Sequence, residues 1–244
     1  MKGHSGSRKL TVMTMLFGIA ALAMRRALYT TAVDVKGLLV RNQPLEIALT
    51  VLTLGVLIRI ALAVRKKDGD VCETHPSANL PAALGSVAAA AGILVTVYTG
   101  GNPMSSPLEN AWYVLGLAAA PCLLLAGVAR LFGKQPFFLL HVTVCLFFVV
   151  HIVTRYQLWS ANPQLQDYVF ALLGAMALMF FGFYTAAREA ECGNDRMKLG
   201  MGLAAIYLCL AELARSSCPA LYLGGAIWVL TDLIGRKDVS DDKI

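Results

Sequence analysis

The sequence predicts an all-α membrane protein, a bundle of about eight transmembrane helices. Three observations predict it. Hydrophobic residues fill 57% of the 244 positions and charged residues only 15%, where a soluble domain carries about a quarter charged. The charges fall in short patches between apolar runs, and most runs are long enough to cross about 30 Å of hydrocarbon as a helix. The runs are also too long and too little alternating to be strands of a barrel.

Taken in order, Met1–Lys9 is read as a polar, basic tail. Span 1 covers Leu10–Val33 and is interrupted by Arg25 and Arg26. Span 2 is Leu45–Val64, with Glu46 at its start and Arg59 close enough to the cytoplasmic edge to snorkel. Span 3 is Leu80–Tyr98, and its small residues, Gly85 with Ala89 or Ala88 with Gly92, predict close backbone packing on a neighbour. Span 4 is Leu108–Ala129. Span 5, Pro136–Thr154, is almost continuously apolar yet carries His141 and His151, and Arg155 follows it. Span 6 is Leu165–Ala187, span 7 Leu199–Ala214 and span 8 Ala220–Gly235. The last two are short for the hydrocarbon core, so their boundaries are soft. Residues 10–235 form one transmembrane domain between tails 1–9 and 236–244, and no loop is long enough for a second domain. The longest loop is Arg65–Asn79.

With eight spans, one side holds fourteen Lys and Arg residues and the other only Lys36, Arg41, Arg155 and Arg215. The positive-inside rule then puts both termini in the cytoplasm, and the expected location is a bacterial cytoplasmic membrane. One alternative threads the chain the same way: the basic tail, the apolar run and Ala21-Leu22-Ala23 match a secretory signal whose cleavage leaves seven spans. Every span that starts outside begins beside a proline (Pro44, Pro107, Pro163 and Pro219), and Glu46, Glu109 and Asp167 follow in three of those first turns. Proline suits the first helical turn, and a carboxylate suits its positive end. The spacing of 63, 56 and 56 residues fits a duplicated helical hairpin, or simply outside turns that tolerate proline.

The net charge of +6 sits beside span ends, where it reads as topology signal and lipid-headgroup contact. No basic stripe with interleaved aromatics points to nucleic acid. The six cysteines include no CxxC pair, and only Cys218 falls on the oxidising side, so zinc, redox and external disulfide roles have no local support. No P-loop, HExxH or GxSxG occurs. The GHSG of Gly3–Gly6 resembles a rhomboid protease signature but lies before the first span, where no pocket forms. Trp112, Tyr113, Tyr156, Trp159 and Tyr168 cluster at outer span ends, as an interfacial belt would. Trp228 lies deeper in span 8, where its N–H needs an acceptor.

Candidate chemistry comes from depth. Spans 1, 5 and 7 run the same way, so counting 1.5 Å per residue places Arg25, His151 and Glu212 together, roughly 20–23 Å from the cytoplasmic edge. Arg26 is one residue further, and Arg155 shares a helix face with His151. Asp34, Glu46 and Arg215 lie near this layer. Arg25, Arg26, His151, Arg155 and Glu212 are the candidate binding residues: arginine forks would hold a carboxylate or phosphate, and His151 and Glu212 would exchange protons. The competing expectation is that Arg25 and Arg26 pair with Glu212, Asp34 or Glu46 to pin helices, or snorkel. His141 and Cys145 share a face, but no metal, haem or other cofactor is expected, for lack of further ligands at that depth.

The stretch RYQLWSANPQLQDYVFALLGAMALMFFGFYTAAREAECGNDRMKLGMGLAAIYLCLAELA, with ALYTTAVDVKGLLVRNQPLEIAL before it, resembles a family of bacterial multi-pass integral membrane proteins with no assigned activity. The likeness covers most of the chain and is strongest at Arg155, Trp159, Leu165, Gln166, Asp167 and Tyr168, which draws attention to the Arg155–Asp167 loop. The resemblance implies a multi-pass fold and no catalytic residue. The expected partners are the lipid bilayer and a small polar or anionic solute that the chain binds or transports. The alternatives are a structural or sensory component acting through a protein partner, then an intramembrane enzyme, for which no nucleophile–base pair is visible.

Overall fold

The computed structural model describes residues 4–31, 43–65, 79–100, 106–160 and 168–235. Asp34, Cys72, Pro163, Asp167, the interior of the Arg65–Asn79 loop, most of the Arg155–Asp167 loop, the 236–244 tail and the side chain of Trp159 lie outside that description. The described residues form eight α-helices and no strand: α1 (His4–Thr31), α2 (Pro44–Arg65), α3 (Leu80–Gly100), α4 (Pro107–Leu131), α5 (Phe138–Ser160), α6 (Val169–Glu189), α7 (Asp195–Glu212) and α8 (Pro219–Ile234). The chain is a helical membrane bundle, in which α1 to α6 are long and apolar enough to cross a bilayer.

Helix starts follow the local chemistry. Proline opens α2, α4 and α8, where its missing N–H removes no helical bond. Ser106 caps α4 by accepting from the Glu109 N–H, and Asn194 caps α7 by accepting from Arg196 and Met197. Several ends differ from the sequence expectation, α7 for one beginning at Asp195 and not Leu199. Helix α1 already includes His4–Lys9, read as a tail, because no proline interrupts it and extending a nucleated helix costs little. Helix α5 runs on to Ser160, so Arg155 is a helical residue. Ala21-Leu22-Ala23 lies within α1, with Ala21 buried against the bundle.

Each of α3 to α8 packs on its neighbours in sequence, and α3 closes on α8, so these six helices form a ring. Helices α1 and α2 attach outside it through α7. Trp228, Tyr207, Tyr222, Phe147 and Phe181 are the bulkiest fully buried side chains. The outer surface is greasy. Helix α2 buries Leu49, Thr53, Val56 and Ile60 on one face, while Ile47, Val51, Leu54, Ile58 and Leu62 are exposed on the other. A surface helix in water keeps that outer face polar; an apolar face on both sides suits lipid. Hydroxyls are satisfied within their own helices, as in Thr96 to the Gly92 carbonyl at 2.8 Å and Thr185 to that of Phe181 at 2.8 Å.

The tightest seam joins α3 to α8. A Cβ on Gly92 would strike the Ala220 carbonyl oxygen, one on Gly85 would strike the Thr231 hydroxyl, and one on Gly224 would lie 2.6 Å from the Ala88 carbonyl oxygen. The small residues of span 3 therefore do what their spacing predicts: they let two backbones touch.

Helices α7 and α8 have 18 and 16 residues, and α7 is the most enclosed, with contacts to α1, α2, α6 and α8. Enclosure explains how α7 carries Lys198 and Glu212 without presenting either to lipid. Gly92→Ala and Gly224→Ala should each lower thermal stability in detergent, by about 1–3 kcal/mol of overpacking. Gly55→Ala, where a Cβ meets nothing within 4 Å, should leave the melting temperature unchanged or slightly raised. Equal behaviour of the three variants would refute the seam.

Candidate functional site

Polar side chains gather in two layers at opposite ends of the bundle. The first surrounds Glu212, where α1, α5 and α7 end and α8 begins. Arg25 and Glu212 form a buried ion pair through Arg25 Nη1 and Glu212 Oε2. The same guanidinium donates to the Ala211 carbonyl at 3.1 Å and lies over the Phe170 ring at 4.8 Å. Tyr29 sits between two cations, with Arg25 at 5.7 Å and Arg215 at 4.7 Å from its ring centre. The expectation that Arg25 pairs with Glu212 therefore holds.

His151 and Arg155 lie in the same layer, on the α4 and α8 side. The buried Trp112 donates its indole N–H to His151 Nδ1 at 3.0 Å, and the Arg155 guanidinium lies 5.6 Å from the Trp112 ring centre. Arg155 also reaches Cys218 Sγ at 3.1 Å. Tyr222 links the two groups: its hydroxyl donates to the Ala171 carbonyl at 3.0 Å, and it lies within electrostatic reach of Glu212, Cys218 and Arg155.

The structure thus brings Arg25 to Glu212, and His151 to Arg155. Arg26 joins neither group. One residue on from Arg25, it is rotated about 100° around α1 and its side chain is exposed. Trp112 belongs to this interior rather than to an interfacial belt, being 2% exposed, whereas Tyr156 is exposed. The proton-exchange expectation for His151 meets an obstacle at Nδ1. An indole N–H only donates, so that nitrogen carries no proton. Arg59 is exposed, with Met13 Sδ 3.5 Å from its guanidinium.

The second layer was not read from the sequence as a site. It joins α4, α5, α6, α7 and α8 through five ionisable side chains. Arg130 reaches Asp232 at 3.0 Å and Glu189 at 3.4 Å, Lys198 reaches Asp232 at 2.8 Å, and His141 Nδ1 lies 2.7 Å from Glu189 Oε2. Asn79 ties the start of α3 into the same end: its side chain donates to the Gly235 carbonyl at 2.6 Å, and its backbone N–H to the Arg130 carbonyl at 3.1 Å. His141 stacks on Trp228, with ring centres 6.0 Å apart and planes 14° from parallel. Among the described residues the Trp228 N–H, expected to find an acceptor, has no hydrogen-bond partner, and neither has His141 Nε2. The signal was available in the sequence. Arg130, Glu189, Lys198 and Asp232 all lie within a few residues of one set of span ends, but charges there also suit loops and headgroups.

Among the described residues no three His, Cys, Asp or Glu side chains converge to hold a metal. Cys145 instead donates its thiol to the Met179 carbonyl at 3.5 Å. Arg25→Ala and Glu212→Ala should each destabilise the protein by about 3–5 kcal/mol, because each strands a buried charge. The double variant should lose less than the sum of the two. Arg26→Ala should be near neutral, and thermal melts of the four proteins in one detergent check all of this. No protein-family model, curated protein or solved structure matches the chain, so the two layers are read from their own geometry.

Proposed function

We propose that this is a polytopic protein of a bacterial cytoplasmic membrane, with both termini in the cytoplasm, that binds or moves a small anionic solute through the Glu212 layer. The excess of Lys and Arg at the opposite ends of the spans supports the orientation, which makes the Glu212 layer the outer one. Arg155 is the anchor.

The observation that carries this reading is the mismatch of charge at Arg155. Arg25 and Glu212 already answer each other. Arg155 is half-buried, and no carboxylate among the described residues contacts it; its neighbours are the Trp112 ring and the Cys218 sulfur. Cys218 is the N-cap residue of α8, so the guanidinium faces the positive end of a helix. A cation held against a positive helix end, partly withdrawn from water, is relieved by an anion that takes the arginine fork. Gly100 leaves space for this arginine, since a Cβ there would come within 3.1 Å of Arg155 Nη2.

The test is a thermal-shift screen of the purified full chain in detergent against small carboxylates, phosphate and sulfate. At least one should raise the melting temperature, because a ligand at about 100 times its Kd stabilises by about 2.7 kcal/mol. Arg155→Ala should abolish that rise and Arg155→Lys should weaken it, while Arg26→Ala should retain it. Protection by no anion, or protection unchanged in Arg155→Ala, would overturn the proposal and favour a structural or sensory role.

A further inference from the structure

We infer that the Glu189 layer is a proton-binding site, in which His141 takes up a proton at Nε2 while Nδ1 stays bonded to Glu189. The inference is independent of the Arg155 reading, since it concerns the other end of the bundle.

Tautomer logic fixes where the proton goes. A carboxylate only accepts, so the 2.7 Å contact to Glu189 Oε2 puts the hydrogen of neutral His141 on Nδ1. The lone pair is then on Nε2. That atom is buried and has no hydrogen-bond partner among the described residues, in a side chain 0% exposed. An imidazole nitrogen with a free lone pair is the group of this layer that can gain a proton. The adjacent Trp228 ring lies nearly parallel to it, and an aromatic face attracts a cation.

The charges that act on His141 are Glu189 from α6, Arg130 from α4 and Lys198 from α7, and Asp232 from α8 stands behind the two cations. Helix α3 contributes the uncharged Asn79. Among the described residues the layer holds two cations and two anions besides His141, and one added proton adds one positive charge. The proton leaves a water or hydronium of the solvent and bonds to Nε2; no other bond breaks. Arg130, whose side chain is 11% exposed, marks the edge from which solvent is nearest.

Proton uptake also has a mechanical consequence. Glu189 is shared between His141 at 2.7 Å and Arg130 at 3.4 Å, and the second is the longest ionic contact of the network. An imidazolium competes with Arg130 for that carboxylate, while Asp232 keeps hold of Arg130 at 3.0 Å. Protonation therefore loosens the tie between α4 and α6 and leaves the tie between α4 and α8.

The experiment is side-chain nitrogen NMR of the full chain, labelled with nitrogen-15 histidine and reconstituted in lipid nanodiscs, across about pH 5–8. The chain has four histidines, His4, His75, His141 and His151, and the His141 signals are those perturbed by Glu189→Gln. The expected result is a histidine whose Nδ1 is protonated throughout and whose Nε2 passes from bare to protonated on acidification. Glu189→Gln should displace that transition toward acid, and Arg130→Gln toward alkali. If Glu189→Gln does not fold, loss of the signals in His141→Gln makes the assignment and Arg130→Gln alone tests the direction. A His141 ring that keeps one protonation pattern over the whole range in the folded protein overturns the inference. So does a transition at Nδ1 instead of Nε2, or a displacement in the opposite sense.

Discussion

Lipid hydrocarbon offers no partner to an ionised side chain, so any charge carried at membrane depth must be answered inside the protein. This constraint accounts for most of the internal arrangement. Arg25, His141, Lys198, Glu212 and Asp232 are all buried, and each touches an ionisable partner on another helix. The helix that carries two of them, α7, is surrounded by four others. Helix α2 lies at the other extreme. With two neighbours and an outer face rich in Ile and Leu, it carries Arg59 on the exposed side.

Close packing sets where these charges can meet. Because Gly85 and Gly92 let α8 lie directly on α3, α8 sits deep enough in the ring for Trp228 to reach His141 and for Asp232 to stand between Arg130 and Lys198. A bulkier α3 would move α8 outward, and the ionic layer would lose the residue that its two cations share. Packing of small residues and pairing of charges are thus one problem solved together, since van der Waals contact brings the polar groups within reach and the polar groups then select the register.

The two layers differ in what remains open. Around Glu212 the ion pair is closed and His151 is held by an indole N–H, and Arg155 meets no carboxylate among the described residues. Around Glu189 each described charge meets an opposite one, and the opening among the described residues is a lone pair on a buried ring nitrogen. An unanswered cation suits an anion, and an unanswered lone pair suits a proton.

The sequence by itself determined the helical membrane class, the position of the helices along the chain and the relative height of residues along them. Apolar run length and rise per residue are local properties, so counting from span ends placed Arg25 level with Glu212, and the two are bonded. It also announced the small-residue face of α3. Azimuth and depth within the bundle were decided only by tertiary structure. Arg25 and Arg26 are adjacent in the chain, yet one faces α7 and the other faces outward, because the rotation of α1 is set by its packing partners. Likewise Arg130, Glu189, Lys198 and Asp232 stand at span ends, where a charge is equally at home in a loop or turned inward. Closure of the ring from α3 to α8 turns them inward and onto one another, and that closure is a sum of long-range contacts no short stretch of sequence displays.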